Sequence, residues 1–219
     1  MAEKFTSYST PSELTLTLGV DGSGKSTFLK GLADNLGYSV IEPTSSPEAR
    51  LFKLANIDNP VDSDFVNKRE NIFLRLNRDF DTQIRSIQET NSLIATTGNG
   101  FVTQVSHGVM RSIVDTNHSR SINDIVADWA DSDMLKPATV VLIHAPATTI
   151  RERILARQED GDVAERFWGF NSPHFLTLYQ DGLMEAVEAL GRFTSIRHYN
   201  LDSEVLTPRE MLEVYKQLQ

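Results

Sequence analysis

Eight residues, Gly19-Val20-Asp21-Gly22-Ser23-Gly24-Lys25-Ser26, constrain this chain more than any other part of it. They fit the spacing G-x-x-x-x-G-K-[ST]. Before them, Leu14-Thr15-Leu16-Thr17-Leu18 alternates with the period of a strand. After them, Phe28, Leu29, Leu32, Ala33 and Leu36 share one helical face, which Gly37 closes. Glycines in such a loop take backbone angles other residues resist, so the amides can turn inward as an anion nest. The following helix adds partial positive charge at its N-terminus. The segment therefore predicts a strand, a phosphate-gripping loop and a helix. In that loop Gly22, Ser23, Gly24, Lys25, Ser26 and Thr27 line the cradle of a nucleotide such as ATP. Lys25 reaches the β and γ phosphates, Thr27 the α phosphate, and Ser26 offers its hydroxyl to Mg²⁺.

The rest of the chain repeats the strand–helix alternation. Strands are predicted at Tyr38-Ser39-Val40-Ile41, at 92–97, at the apolar run Ala138 to His144 and at 194–199. Helices are predicted at 64–90, 103–115, 121–132, 148–157 and 173–190, and from Pro208 onward. Such alternation implies an α/β three-layer fold with a parallel, five-stranded sheet. Ligands on these sheets lie beyond the carboxyl ends of the strands, which directs attention to 19–27, 42–46, 97–104 and 144–170. Residues 1–12 read as a flexible arm and 13–219 as a single domain, with a lid segment at about 157–170.

Composition removes several competing chemistries. With no Cys among 219 residues, a disulfide framework, a cysteine nucleophile and a thiolate metal site are excluded. The formal charge of −9 argues against bulk electrostatic binding to nucleic acid. The five His make no H-x-x-x-H or H-E-x-x-H pair, and no G-x-S-x-G elbow is present. No apolar run reaches the length of a membrane span, and the first residues lack the apolar core of a signal peptide. The expectation is a soluble cytoplasmic protein.

Val20-Asp21-Gly22-Ser23-Gly24-Lys25-Ser26-Thr27 resembles the P-loop of thymidylate kinases and related deoxynucleoside kinases. The likeness extends over most of 14–190. It implies ATP-dependent phosphoryl transfer to a thymidylate-like deoxynucleoside monophosphate, with ATP and Mg²⁺ bound and a homodimer as the assembly. By the same resemblance Asp21 lies near the acceptor phosphate, and Glu42, in Glu42-Pro43-Thr44, lines the acceptor site. Arg50 matches a further family arginine, and Arg78, in Asn77-Arg78, matches the arginine on the monophosphate. Leu74 falls where the family stacks a Phe on the base. Phe73 is one residue off, a turn of ~100° on a helix. Ile150 to Arg157 is similar to the family's Glu-Arg-Ile-x-x-Arg segment, so Arg153 and Arg157, one turn apart, are candidates to offset charge on the transferring phosphoryl group. Lys25 and Asp21 complete that catalytic set.

One departure stands out. The family's third strand ends in Asp-Arg-Tyr, with the Asp near Mg²⁺ and the Arg on the acceptor phosphate. Here it ends in Thr96-Thr97-Gly98-Asn99-Gly100. Thr97 and Gln104 are the polar residues there able to hold a metal-bound water, but neither carries charge. The acceptor is therefore also open to a nucleoside, a modified pyrimidine nucleotide or a DNA base. A nucleotide-binding regulatory protein with little transferase activity is the reading from another class.

Overall fold

Leu14–Leu18 (β1) is buried along its whole length, because packed layers cover both of its faces. In the computed structural model, residues 14–41, 93–97, 105, 121–130, 138–160, 173–194 and 196–218 are described. The elements over these residues are β1, Lys25–Leu36 (α1), Ser39–Ile41 (β2), Ile94–Thr97 (β3), Ile122–Ala130 (α2), Ala138–His144 (β4), Ala147–Glu159 (α3), Pro173–Phe193 (α4), Arg197–Asp202 (β5) and Pro208–Leu218 (α5). The five strands form one sheet in the order β2-β3-β1-β4-β5. Every pairing is parallel. The expected α/β three-layer fold with a five-stranded parallel sheet is what the chain adopts.

Alternation along β1 divides the core. Leu14, Leu16 and Leu18 pack with Val140, Leu142, Ile150, Ile154 and the buried face of α4. On the other side Ala95, Val141 and Ile143 meet Phe28, Leu29 and Leu32 of α1 and Met211, Leu212 and Tyr215 of α5. Thr15 points to this second side. Its hydroxyl pairs with the Tyr215 hydroxyl at 2.7 Å, and Tyr215 pairs with that of Tyr38 at 3.0 Å. The Tyr215 ring also stands edge-on to Phe28 at 5.7 Å. A buried hydroxyl chain thus ties α5 and the start of β2 to the central strand.

The helix starting at Pro208 is where the sequence put it. Thr207 and Glu210 form its capping box: the Glu210 carboxylate accepts from the Thr207 amide at 2.8 Å and hydroxyl at 2.6 Å. One strand is displaced. Residues 194–199 read as β5, but the strand occupies Arg197–Asp202. The preceding helix runs to Phe193, and Thr194 still bonds Leu190 O through both its amide (2.9 Å) and hydroxyl (2.6 Å), so the chain remains tied to α4 at 194. The predicted helix at 64–90, the arm at 1–12 and nearly all of 103–115 lie outside the described residues. So does the lid segment beyond Asp160.

Candidate functional site

β1 is central in the sheet, so the loop that leaves it emerges at the middle of the carboxyl edge. Two features shape this loop. Gly19 has φ 148, and a side chain there would fall onto the Ile143 carbonyl oxygen at the end of β4. Gly24, the N-cap of α1, is left-handed with φ 104 and ψ 10. Between them the Ser23 amide donates to Val20 O at 3.1 Å, closing a turn. The first helical bond of α1 runs from the Phe28 amide to Gly24 O at 3.1 Å. The amides of Ser26 and Thr27 therefore belong to the opening turn, whose N–H groups have no partner within the helix. Both residues are exposed.

The Lys25 ammonium turns back over the loop. It donates to Gly19 O at 2.7 Å and Val20 O at 2.8 Å, with Asp21 Oδ1 3.7 Å away. Its side chain is only 10% exposed, whereas that of Asp21 is 47% exposed. The Asp21–Lys25 pair is thus solvent-screened and weak, and the bonds to the two carbonyls are the shorter contacts. This puts one cation and the leading turn of α1 around the same short loop.

Gly22 is buried against α3: a Cβ there would meet Ile150 O at 3.2 Å and Ile154 Cγ1 at 3.3 Å. From the same face of α3, Arg153 Nη1 donates to Gly22 O at 3.2 Å and to Ser203 Oγ at 2.9 Å, and Nη2 to Ser203 O at 3.0 Å. The guanidinium expected to meet a phosphoryl group is thus bound to protein atoms. Arg157, one turn on, is exposed. Ser203 is anchored by its amide to His144 O at 2.8 Å, at the end of β4.

Of the expected site residues, Asp21, Gly22, Ser23, Gly24, Lys25, Ser26 and Thr27 come together, with Arg153 beside them. Thr97 ends β3, paired in register with Thr17 of β1. The hydroxyls of both, and that of Ser23, are buried without a hydrogen-bond partner among the described residues. Glu42, Arg50, Leu74, Arg78 and Gln104 lie outside the described residues. Ser203 was not anticipated. Ending the last strand at 199 rather than 202 hid the fact that Asp202-Ser203 leaves the same sheet edge as the glycine loop.

A family model described as an AAA domain matches residues 14–168, more than half of the chain. The chain belongs to this AAA domain family. Among solved structures, this AAA domain is similar to deoxyadenosine kinase from M. mycoides with bound dATP, at 15% identity and TM-score 0.63, covering 94% of this chain and 98% of that one. It is similar to thymidylate kinase from Candida albicans at 16% identity and TM-score 0.64, covering 95% and 91%. Shikimate kinase from Acinetobacter baumannii follows at 14% identity and TM-score 0.51, covering 96% and 94%. The likeness is one of fold, the P-loop kinase fold. No curated protein matches the sequence. No helix among the described residues is long and apolar enough to cross a membrane.

Proposed function

We propose that this AAA domain is an ATP-dependent phosphotransferase whose acceptor is a nucleotide, a thymidylate-like deoxynucleoside monophosphate. The observation that carries the reading is the loop Gly19–Ser26: a left-handed Gly24 opens α1 while Lys25 is seated at its mouth, at the centre of the carboxyl edge. The Ser26 and Thr27 amides supply donors to an anion, and the leading turn of α1 supplies partial positive charge. Lys25 donates to the Gly19 and Val20 carbonyls at the mouth of the loop, bonds that its ammonium can exchange for phosphate oxygens. The donor set fits a polyphosphate.

It also fits Mg²⁺ that arrives with the nucleotide. No cluster of three or more acidic or histidine residues suited to a metal occurs among the described residues. Ser26 supplies one exposed hydroxyl, and Mg²⁺ in such sites takes its other oxygens from phosphates and water. When bound, the ion neutralises charge on the phosphates. The chain's part is positioning and electrostatics: Lys25 and Arg157 are assigned to stabilise charge on the phosphoryl group, and Asp21 to orient the acceptor. Glu42, Arg50, Leu74, Arg78 and Gln104 complete the proposed acceptor side. The fold likeness to a thymidylate kinase and a deoxyadenosine kinase supports this class.

A nucleoside acceptor is the second reading, favoured by Thr97. A neutral residue at the end of β3, followed by Gly98 rather than an arginine, suits an acceptor without a phosphate of its own.

Calorimetry with ATP, with and without Mg²⁺, tests the cradle. ADP release with a panel of nucleosides and nucleoside monophosphates then sorts the acceptors. Lys25→Ala is expected to lower transfer by about 10²–10³-fold or more. Near-normal turnover in that variant, or no ATP binding by the wild type, would overturn the proposal.

A further inference from the structure

The Gly22–Ser23 peptide is held from both ends. Its N–H donates to Val20 O at 3.1 Å, and its carbonyl accepts from Arg153 Nη1 at 3.2 Å. Val20 O in turn accepts from Lys25 Nζ at 2.8 Å. One hydrogen-bonded line therefore runs from the α3 guanidinium through the turn of the loop to the Lys25 ammonium. The guanidinium is also fixed by Ser203, Nη1 donating to its Oγ and Nη2 to its carbonyl oxygen, and β4 holds Ser203 through His144 O. Ser203 Cβ also lies 3.7 Å from where a Gly24 side chain would begin, which puts Ser203 near the start of α1.

We infer that Arg153 is a positioning residue: its guanidinium clamps the turn of the phosphate loop to the β5–α5 connection and so sets the shape in which Lys25 and the first amides of α1 are presented. A planar fork with several donors is needed, because one group must meet Gly22 O and two atoms of Ser203 together. A lysine carries the same charge but lacks that fork. Arg153 thus acts through Gly22 rather than on a transferring group. The clamp rests on the proposed function only for its effect on nucleotide affinity; its effect on the free loop stands apart.

Two measurements test it. Hydrogen exchange of the nucleotide-free protein reads the loop directly. Arg153→Met is expected to speed exchange across residues 19–26 by about tenfold, as expected for loss of charge-assisted bonds, with β4 unchanged. Arg153→Lys should behave like Arg153→Met. Calorimetry with ATP forms a cycle with Ser203→Ala, which deletes only the Oγ contact: about threefold weaker for Ser203→Ala, about tenfold for Arg153→Met, and no further loss in the double variant. Unchanged loop exchange in Arg153→Met, restoration by Arg153→Lys, or fully additive losses would overturn the clamp. If the wild type binds no ATP, the proposed function fails and the exchange arm still decides the clamp.

Discussion

Replacing Gly24 with Ala separates a preformed loop from one that the ligand shapes. A Cβ at Gly24 meets nothing closer than Ser203 Cβ at 3.7 Å, an ordinary contact, so steric cost is absent. What remains is the backbone: φ 104 is a conformation L-residues adopt at a cost of about 1–3 kcal/mol. Stiffening of the unfolded chain by Ala offsets about 0.4–1 kcal/mol of that. The net is a loss of up to about 2.6 kcal/mol, or roughly up to 10 °C in melting temperature for a chain of this size. Because the strain is present with and without nucleotide, it cancels from the binding equilibrium, and ATP affinity should change less than about threefold. Gly19→Ala adds a collision with the Ile143 carbonyl, backbone that cannot swing aside, and should lower the melting temperature further. The assay pairs thermal unfolding with calorimetry. The reasoning is refuted if Gly24→Ala melts like the wild type while binding ATP more than tenfold more weakly. That pattern would mean the left-handed turn forms only around the ligand.

Two further predictions concern the frame behind the site. Tyr215→Phe removes a hydroxyl bonded to both Thr15 and Tyr38 while leaving the ring against Phe28, and should cost about 1–3 kcal/mol in denaturant unfolding; an unchanged midpoint would show that the hydroxyl chain contributes nothing. The Thr207 hydroxyl, and then its amide, hold the Glu210 carboxyl below the ordinary glutamate value. Its stabilisation is therefore complete above that value and lost as pH falls through the depressed one, so the stability gap between wild type and Glu210→Gln should shrink between about pH 6 and about pH 3, and a gap independent of pH would refute the assignment.

The helix start at Pro208, the stop at Gly37 and the glycine loop were legible because each depends on residues within a few positions of one another. The same is true of the parallel sheet: β4 is apolar on both faces in the sequence itself, and only layers on both sides of a sheet satisfy such a strand. β5 was harder. Half of its residues, Arg-His-Tyr-Asn-Leu-Asp, are exposed and the run carries little apolar signal, so its bounds depend on where α4 releases the chain.

What the sequence determined by itself is a glycine loop of G-x-x-x-x-G-K-[ST] spacing between a strand and a helix, within an alternating α/β chain. Folding decided who surrounds that loop. Strand order puts β4 and β5 on one side of β1, and this brings Ser203 and Arg153, remote in sequence, against Gly22 and Gly24. It also sets Thr17 beside Thr97 with both hydroxyls buried and unpaired among the described residues. Spacing rules see neighbours along the chain. The partners of a guanidinium or a buried hydroxyl are fixed by which strands lie side by side, which follows from how the whole apolar surface is shared between the two faces of the sheet.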